Sequence, residues 1–160
     1  MASRRPLVII GGQLQQIPAG DTLNVSASEV DVVALTNGSG AAVAIATVGY
    51  VSAAGSFSLA KADASGTVEV VGLVRDASIG IAASGNIQTD GVLTASTAQW
   101  DAVTGQTGGL TFGAVYFLSA ATAGRITTTA PSTTGQFVMR LGKALSTTDF
   151  DISILQPILL

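Results

Sequence analysis

The chain has 160 residues, 48% of them hydrophobic and 11% charged, with no His, no Cys and a formal net charge of −3. Without imidazole or thiol there can be no Ser-His-Asp triad, thiol nucleophile, His-containing zinc site or disulfide. The length suits one domain-sized core, but a mean hydropathy of +0.54 is high for so small a soluble monomer, which implies that part of the apolar surface meets a partner or another copy of the chain.

The N-terminal segment is basic, Gln-rich and bracketed by Pro6 and Pro18. Its apolar run Leu7 to Ile10 stops at Gly11-Gly12, too short for a secretory leader. Proline has no amide donor and suits a strand end or edge, so residues 1–22 are expected to form an extended arm ahead of a domain over 23–160. The expected contact residues of the arm are Arg4, Arg5, Leu7, Val8, Ile9, Ile10, Leu14 and Ile17. Beyond Arg4 and Arg5, only Lys61, Arg75, Arg125, Arg140 and Lys143 stand against ten acidic residues. A basic arm on an acidic body can be pinned to an acidic partner surface, or it can be a solvated terminus. There is no basic stripe of the kind that tracks a phosphate backbone, so no nucleic acid is expected. The longest apolar runs fall well short of the roughly 20 residues that cross a membrane, so no membrane is expected either.

Further along, Gly and small polar residues punctuate short β-branched runs. Candidate strands are Val30 to Thr36, Val43 to Val51, Thr67 to Arg75, Gly113 to Leu118, Phe137 to Leu141 and Phe150 to Leu155. Turn signals such as Asn37-Gly38, Ser65-Gly66, Asp90-Gly91 and Thr134-Gly135 lie between them, the rhythm of an all-β sandwich or barrel. Val68 to Val74 carries apolar residues on both parities, which suits a strand covered on both sides or placed at a subunit interface. Phe150 to Ile154 alternates and so predicts a half-buried strand with Asp151 and Ser153 outward. Ser96-Thr97-Ala98-Gln99 is a capping-box pattern, predicting one short helix near 96–103 that ends before Gly105. A second helical turn is expected around Leu59 to Ala64. The predicted fold is therefore a compact β-barrel or sandwich with one short helix, whose core includes Leu73, Trp100, Tyr116, Phe137 and Ile152.

The chemistry-bearing candidates are few. Asp149 with Asp151, and Glu29 with Asp31, would each share a strand face; calcium would need six to eight oxygens around such a pair, and solvated strand edges are the simpler reading. Gly105 to Gly113 lacks the Gly-Lys-Ser/Thr ending of a phosphate-cradling loop and is expected to be a flexible turn. Trp100, the only Trp, is expected to lid the core rather than stack on a sugar. Thr127 to Thr129 suits a strand or a strand exit. No catalytic residue, metal or cofactor is expected.

Several stretches resemble a β-barrel module of tailed-bacteriophage virion proteins: Val70-Val71-Gly72-Leu73-Val74, Ile87 to Leu93, Gln99-Trp100-Asp101, Gly109 to Leu118, Gly124 to Pro131 and Val138 to Ser146. The opening Pro6 to Gln13 and Gln15 to Asp21 is similar to an N-terminal segment of such proteins. The resemblance covers residues 5–22 and about 66–160, with 66–160 the recognisable module and 23–65 unmatched. It implies a non-enzymatic virion structural protein, made in the host cytoplasm, that decorates or cements a capsid. It further implies a symmetric oligomer, typically a homotrimer, with the major capsid protein and itself as partners. The alternative it leaves open is a tail-fibre, head-fibre or receptor-binding component.

Overall fold

The computed structural model describes residues 30–160 together with two strands of the N-terminal segment, β1 (Leu7–Ile10) and β2 (Gln13–Gln16). The expected contact residues Arg4, Arg5 and Ile17, the carboxylate Glu29 and the boundary expected between residues 22 and 23 lie outside the described residues. Leu7, Val8, Ile9, Ile10 and Leu14 are positions in β1 and β2, which pair antiparallel from Leu7 opposite Gln16 to Ile10 opposite Gln13. Within the segment expected to be an extended arm, β1 and β2 thus pair with each other, and the two-residue Gly11-Gly12 between them is a hairpin signal in the sequence.

The domain is all-β with one short helix. Its first half supplies β3 (Val32–Asn37), β4 (Val43–Ala44), β5 (Val48–Ala53), β6 (Ser56–Leu59), β7 (Val70–Val74), β8 (Ser78–Ile79) and β9 (Ser84–Gln88). Five of these close into a barrel in the order β3-β6-β5-β7-β9, while β4 and β8 form a small separate pair. The closure is unusual in one respect: β3 pairs parallel with β6, Thr36 opposite Ser56, whereas the other barrel pairs are antiparallel.

The second half supplies β10 (Gly91–Thr94), α1 (Thr97–Thr104), β11 (Val115–Leu118), β12 (Ile126–Thr127), β13 (Phe137–Val138), β14 (Arg140–Ala144), β15 (Asp149–Ile152) and β16 (Ile158–Leu159). Five strands form an open sheet in the order β10-β15-β14-β11-β12, and β13 pairs with β16. The capping box is present as expected: Ser96 Oγ accepts from the Gln99 amide, Gln99 reaches back to the Ser96 amide, and the helix stops at a left-handed Gly105.

Two cores result. The smaller fills the barrel with Leu35, Val43, Phe57, Val74, Ile79 and Ile87. The larger runs from barrel residues such as Val48 and Leu73 to the open sheet and helix, including Trp100, Tyr116, Leu141, Phe150 and Ile152. Of the expected core residues, Leu73, Trp100, Tyr116 and Ile152 are buried, and Phe137 is half-buried against the larger core. Only Leu73 comes from a barrel strand: three of the five barrel strands lie within residues 32–59, and the open sheet is drawn from residues 91–152.

β7 is covered on both sides within the chain, since Val70 and Leu73 join the larger core while Val71 and Val74 join the smaller. Two expected strands are interrupted. Val43 to Val51 breaks at Ile45-Ala46, where Ala46 takes φ 67° and its amide donates to Val74 O at 2.8 Å, turning both side chains into the larger core. Phe137 to Leu141 divides at Met139, whose carbonyl accepts from the Leu118 amide. The stretch Leu59 to Ala64 forms turns instead of a helical turn, because its amides are used elsewhere: Lys61 N–H donates to Thr67 O and Ala62 N–H to Ser119 O.

Candidate contact surfaces

Trp100 is fully buried and its indole N–H donates to Thr148 O at 2.8 Å. Phe150 lies between it and Tyr116, at ring-centroid separations of 5.6 and 5.8 Å. An aromatic enclosed in this way braces the sheet and is out of reach of a sugar ring.

That aromatic group also organises the loop over Gly105 to Gly113. Asp101, on α1, accepts the amides of Gly108 at 3.2 Å and Gly109 at 2.7 Å. Leu110 N–H donates to Thr147 O, Thr111 N–H to the Tyr116 hydroxyl and Gly113 N–H to Ala144 O, while the Tyr116 O–H donates to Gln106 Oε1. Gly109 has φ +86°, and a Cβ there would run into Thr147 O, so only glycine fits. The expected flexible turn is thus a braced loop. At its tip Phe112 is 76% exposed. The bond from Gly113 to Ala144 sets this tip beside Leu145, which is also exposed. A large aromatic held in water by a braced loop would meet any partner with the ordering cost of the loop already met.

A second apolar surface lies at the end of the barrel. Asn37, 1% exposed, ties two loops, residues 38–42 and 79–80, to its side-chain amide. Its Nδ2 donates to the carbonyls of Ala41, Ile79 and Gly80, and its Oδ1 accepts from the Ser39 amide and hydroxyl. The backbone around it adds Thr36 N–H to Gly55 O, Asn37 N–H to Ala83 O and Ala82 N–H to Asn37 O. Val51 and Ile81 are exposed on this end. A third apolar group, Leu155, Ile158, Leu159 and Leu160, is exposed on and beside β16.

The carboxylate pair Asp149 and Asp151 shares one face of β15, as its spacing implies. Hydroxyl donation from Ser146 and Thr94 holds the Asp149 carboxyl below the usual carboxylate range. The stabilisation this gives is present above that range and fades as pH falls through the lowered value. Asp151 stands opposite Lys143 in register, a favourable cross-strand pairing. Among the described residues no three potential metal-ligating side chains gather in one place.

A cavity of about 280 Å³ opens beside β12, lined by Ser119, Ala120, Ala121, Thr127, Thr129, Ala130, Pro131, Ser132, Thr133 and Gln136. The Thr127 to Thr129 run thus begins in β12 and continues along this wall. No aromatic or charged side chain lines it, so it offers hydroxyls without a stacking platform. Comparison with protein-family models, curated proteins and solved structures finds nothing that matches this chain.

Proposed function

We propose that this chain is a non-enzymatic structural protein of a tailed-phage virion, binding the capsid surface as a symmetric oligomer and stabilising it. The observation that carries the reading is Phe112, exposed on a loop held by Asp101 of α1 at its start and by Tyr116 and Ala144 of the sheet at its end, near exposed Leu145. It gives the domain an apolar anchor on a stiff β scaffold, which suits attachment. The resemblance of residues 5–22 and 66–160 to phage virion modules supplies the kind of partner, a capsid lattice. Arg4 and Arg5 ahead of β1 supply positive charge to an otherwise acidic chain and would meet capsid carboxylates, while the free edge of a strand such as β1 would add to a neighbouring sheet. Many such contacts repeated over a lattice bind by avidity even where each is weak.

The test is the copy number of this chain in purified particles, by quantitative mass spectrometry against the major capsid protein. Hundreds of copies, commensurate with capsid symmetry, are expected. A few to tens would move the protein to the tail or a fibre, and none would overturn the virion reading. Phe112→Ala is expected to leave stability within about 0.5 kcal/mol, as for an exposed side chain, and to weaken binding to undecorated particles at least tenfold in a pelleting assay. Unchanged binding would remove Phe112 from the contact.

A further inference from the structure

We infer that Asp90 is a site of spontaneous backbone modification, converted to isoaspartate in the folded chain, and that the same fold withholds the related reaction from Asn37. The sequence contains one Asn-Gly pair, Asn37-Gly38, and one Asp-Gly pair, Asp90-Gly91. In each, the glycine has no Cβ to obstruct attack of its amide nitrogen on Cγ of the preceding side chain, which closes a five-membered succinimide. In an unfolded chain the Asn-Gly pair reacts faster, because at neutral pH an ordinary aspartate is ionised and a carboxylate is a poor electrophile. The fold reverses that order.

At Asn37 the reacting atoms are committed elsewhere. The nitrogen that would leave donates to the carbonyls of Ala41, Ile79 and Gly80, and Oδ1 accepts from the Ser39 amide and hydroxyl. The Gly38 amide that would attack donates instead to Phe57 O at 2.8 Å. Asn37 is 1% exposed, so ring closure there requires local opening. Asp90 is exposed, and no other side chain among the described residues bonds its carboxyl. Its Oδ1 accepts from the Gly91 amide at 2.7 Å, which sets Cγ one bond beyond the attacking nitrogen's contact, close to a near-attack arrangement. On the other side Gln88 Nε2 donates to Asp90 O at 3.0 Å and holds the backbone.

The reaction needs only water. The Gly91 nitrogen bonds to Cγ, and its proton leaves with the Cγ hydroxyl as water. Hydrolysis then adds water back. Cleavage between nitrogen and Cγ restores aspartate, whereas cleavage between nitrogen and the backbone carbonyl carbon leaves the chain running through Cβ and Cγ. Thr89 and Asp90 are the only residues between β9, a barrel strand, and β10, the edge strand of the open sheet. Isoaspartate adds one backbone carbon to this connection and turns the acceptor of Gln88 into a free carboxylate, so it displaces the pairing of Gly91 with Ile152.

The experiment is incubation of the full chain for weeks at physiological temperature and neutral pH, folded and in concentrated urea, followed by peptide mapping. Isoaspartate is read by methyl transfer from an isoaspartyl methyltransferase and by resistance to a protease that cuts before aspartate, and deamidation by a gain of one mass unit. In the folded chain isoaspartate is expected to accumulate at position 90, and Asn37 to keep its amide at least tenfold longer than in urea. In urea Asn37 is expected to react before Asp90. Asp90→Asn is expected to melt as the wild type does and to form isoaspartate faster; Asp90→Glu, whose ring would need six members, is expected to abolish methylation at this position. An Asp90 that stays unmodified in the folded chain while it reacts in urea, or an Asn37 that deamidates as fast folded as unfolded, would overturn the inference. None of these outcomes depends on a capsid.

Discussion

Asn37→Ala is expected to lower the stability of the isolated domain by about 3 kcal/mol, read as a fall in the urea midpoint at unchanged slope. The size follows from what truncation leaves behind. Three carbonyls, of Ala41, Ile79 and Gly80, lose a donor at 2.7–3.1 Å, and the Ser39 amide and hydroxyl lose their acceptor. The Ile79 bond is fully buried, and a buried group left unsatisfied costs about 1–3 kcal/mol. Asn37→Asp separates donor loss from shape: the carboxylate has nearly the same volume but would face carbonyl oxygens with no proton to give. Its pKa in the folded protein should be raised, so the deficit is largest at neutral pH and shrinks as pH falls and the acid regains a donor. A loss below about 0.5 kcal/mol for Asn37→Ala would mean that the two loops hold themselves without the amide.

Phe150→Ala should cost about 3–5 kcal/mol. Phe150 is fully buried against both Trp100 and Tyr116, so its removal takes a contact from each of two large rings and opens a cavity in the core. Phe150→Leu, which retains much of the volume, should cost about 1–2 kcal/mol. Trp100 is the only tryptophan, and its fluorescence reports this core directly, shifting to the red when the indole meets water. A loss under about 1 kcal/mol for the alanine variant would mean that the sheet repacks around the gap.

What could be read from the sequence was local. The Ser96 capping box spans four residues and forms as written. The two-sided apolar pattern of Val68 to Val74 and the alternation in Phe150 to Ile152 follow from strand periodicity alone. What could not be read depends on partners distant in the chain. Asn37-Gly38 has the composition of a turn, and nothing nearby announces that Ile79 and Gly80, some forty residues on, will supply acceptors that make the asparagine buried and structural. Gly105 to Gly113 has the composition of a flexible loop and is braced by Tyr116, Ala144 and Thr147. Phe112 carried no signal of exposure, since an aromatic between glycines is as readily placed in a core. Ala46 breaks an otherwise continuous β-branched stretch through a left-handed conformation that alanine composition does not advertise. The parallel pairing of β3 with β6 has no sequence signature, yet it is one of the contacts that close the barrel.

The position of β7 between the two cores has a consequence for how the domain comes apart. Val71 and Val74 belong to the barrel interior while Val70 and Leu73, on the same strand, belong to the core shared with Trp100 and Phe150. Neither half can lose its packing without pulling at a strand the other half requires, so the barrel and the open sheet are expected to melt together as one cooperative unit rather than in two steps.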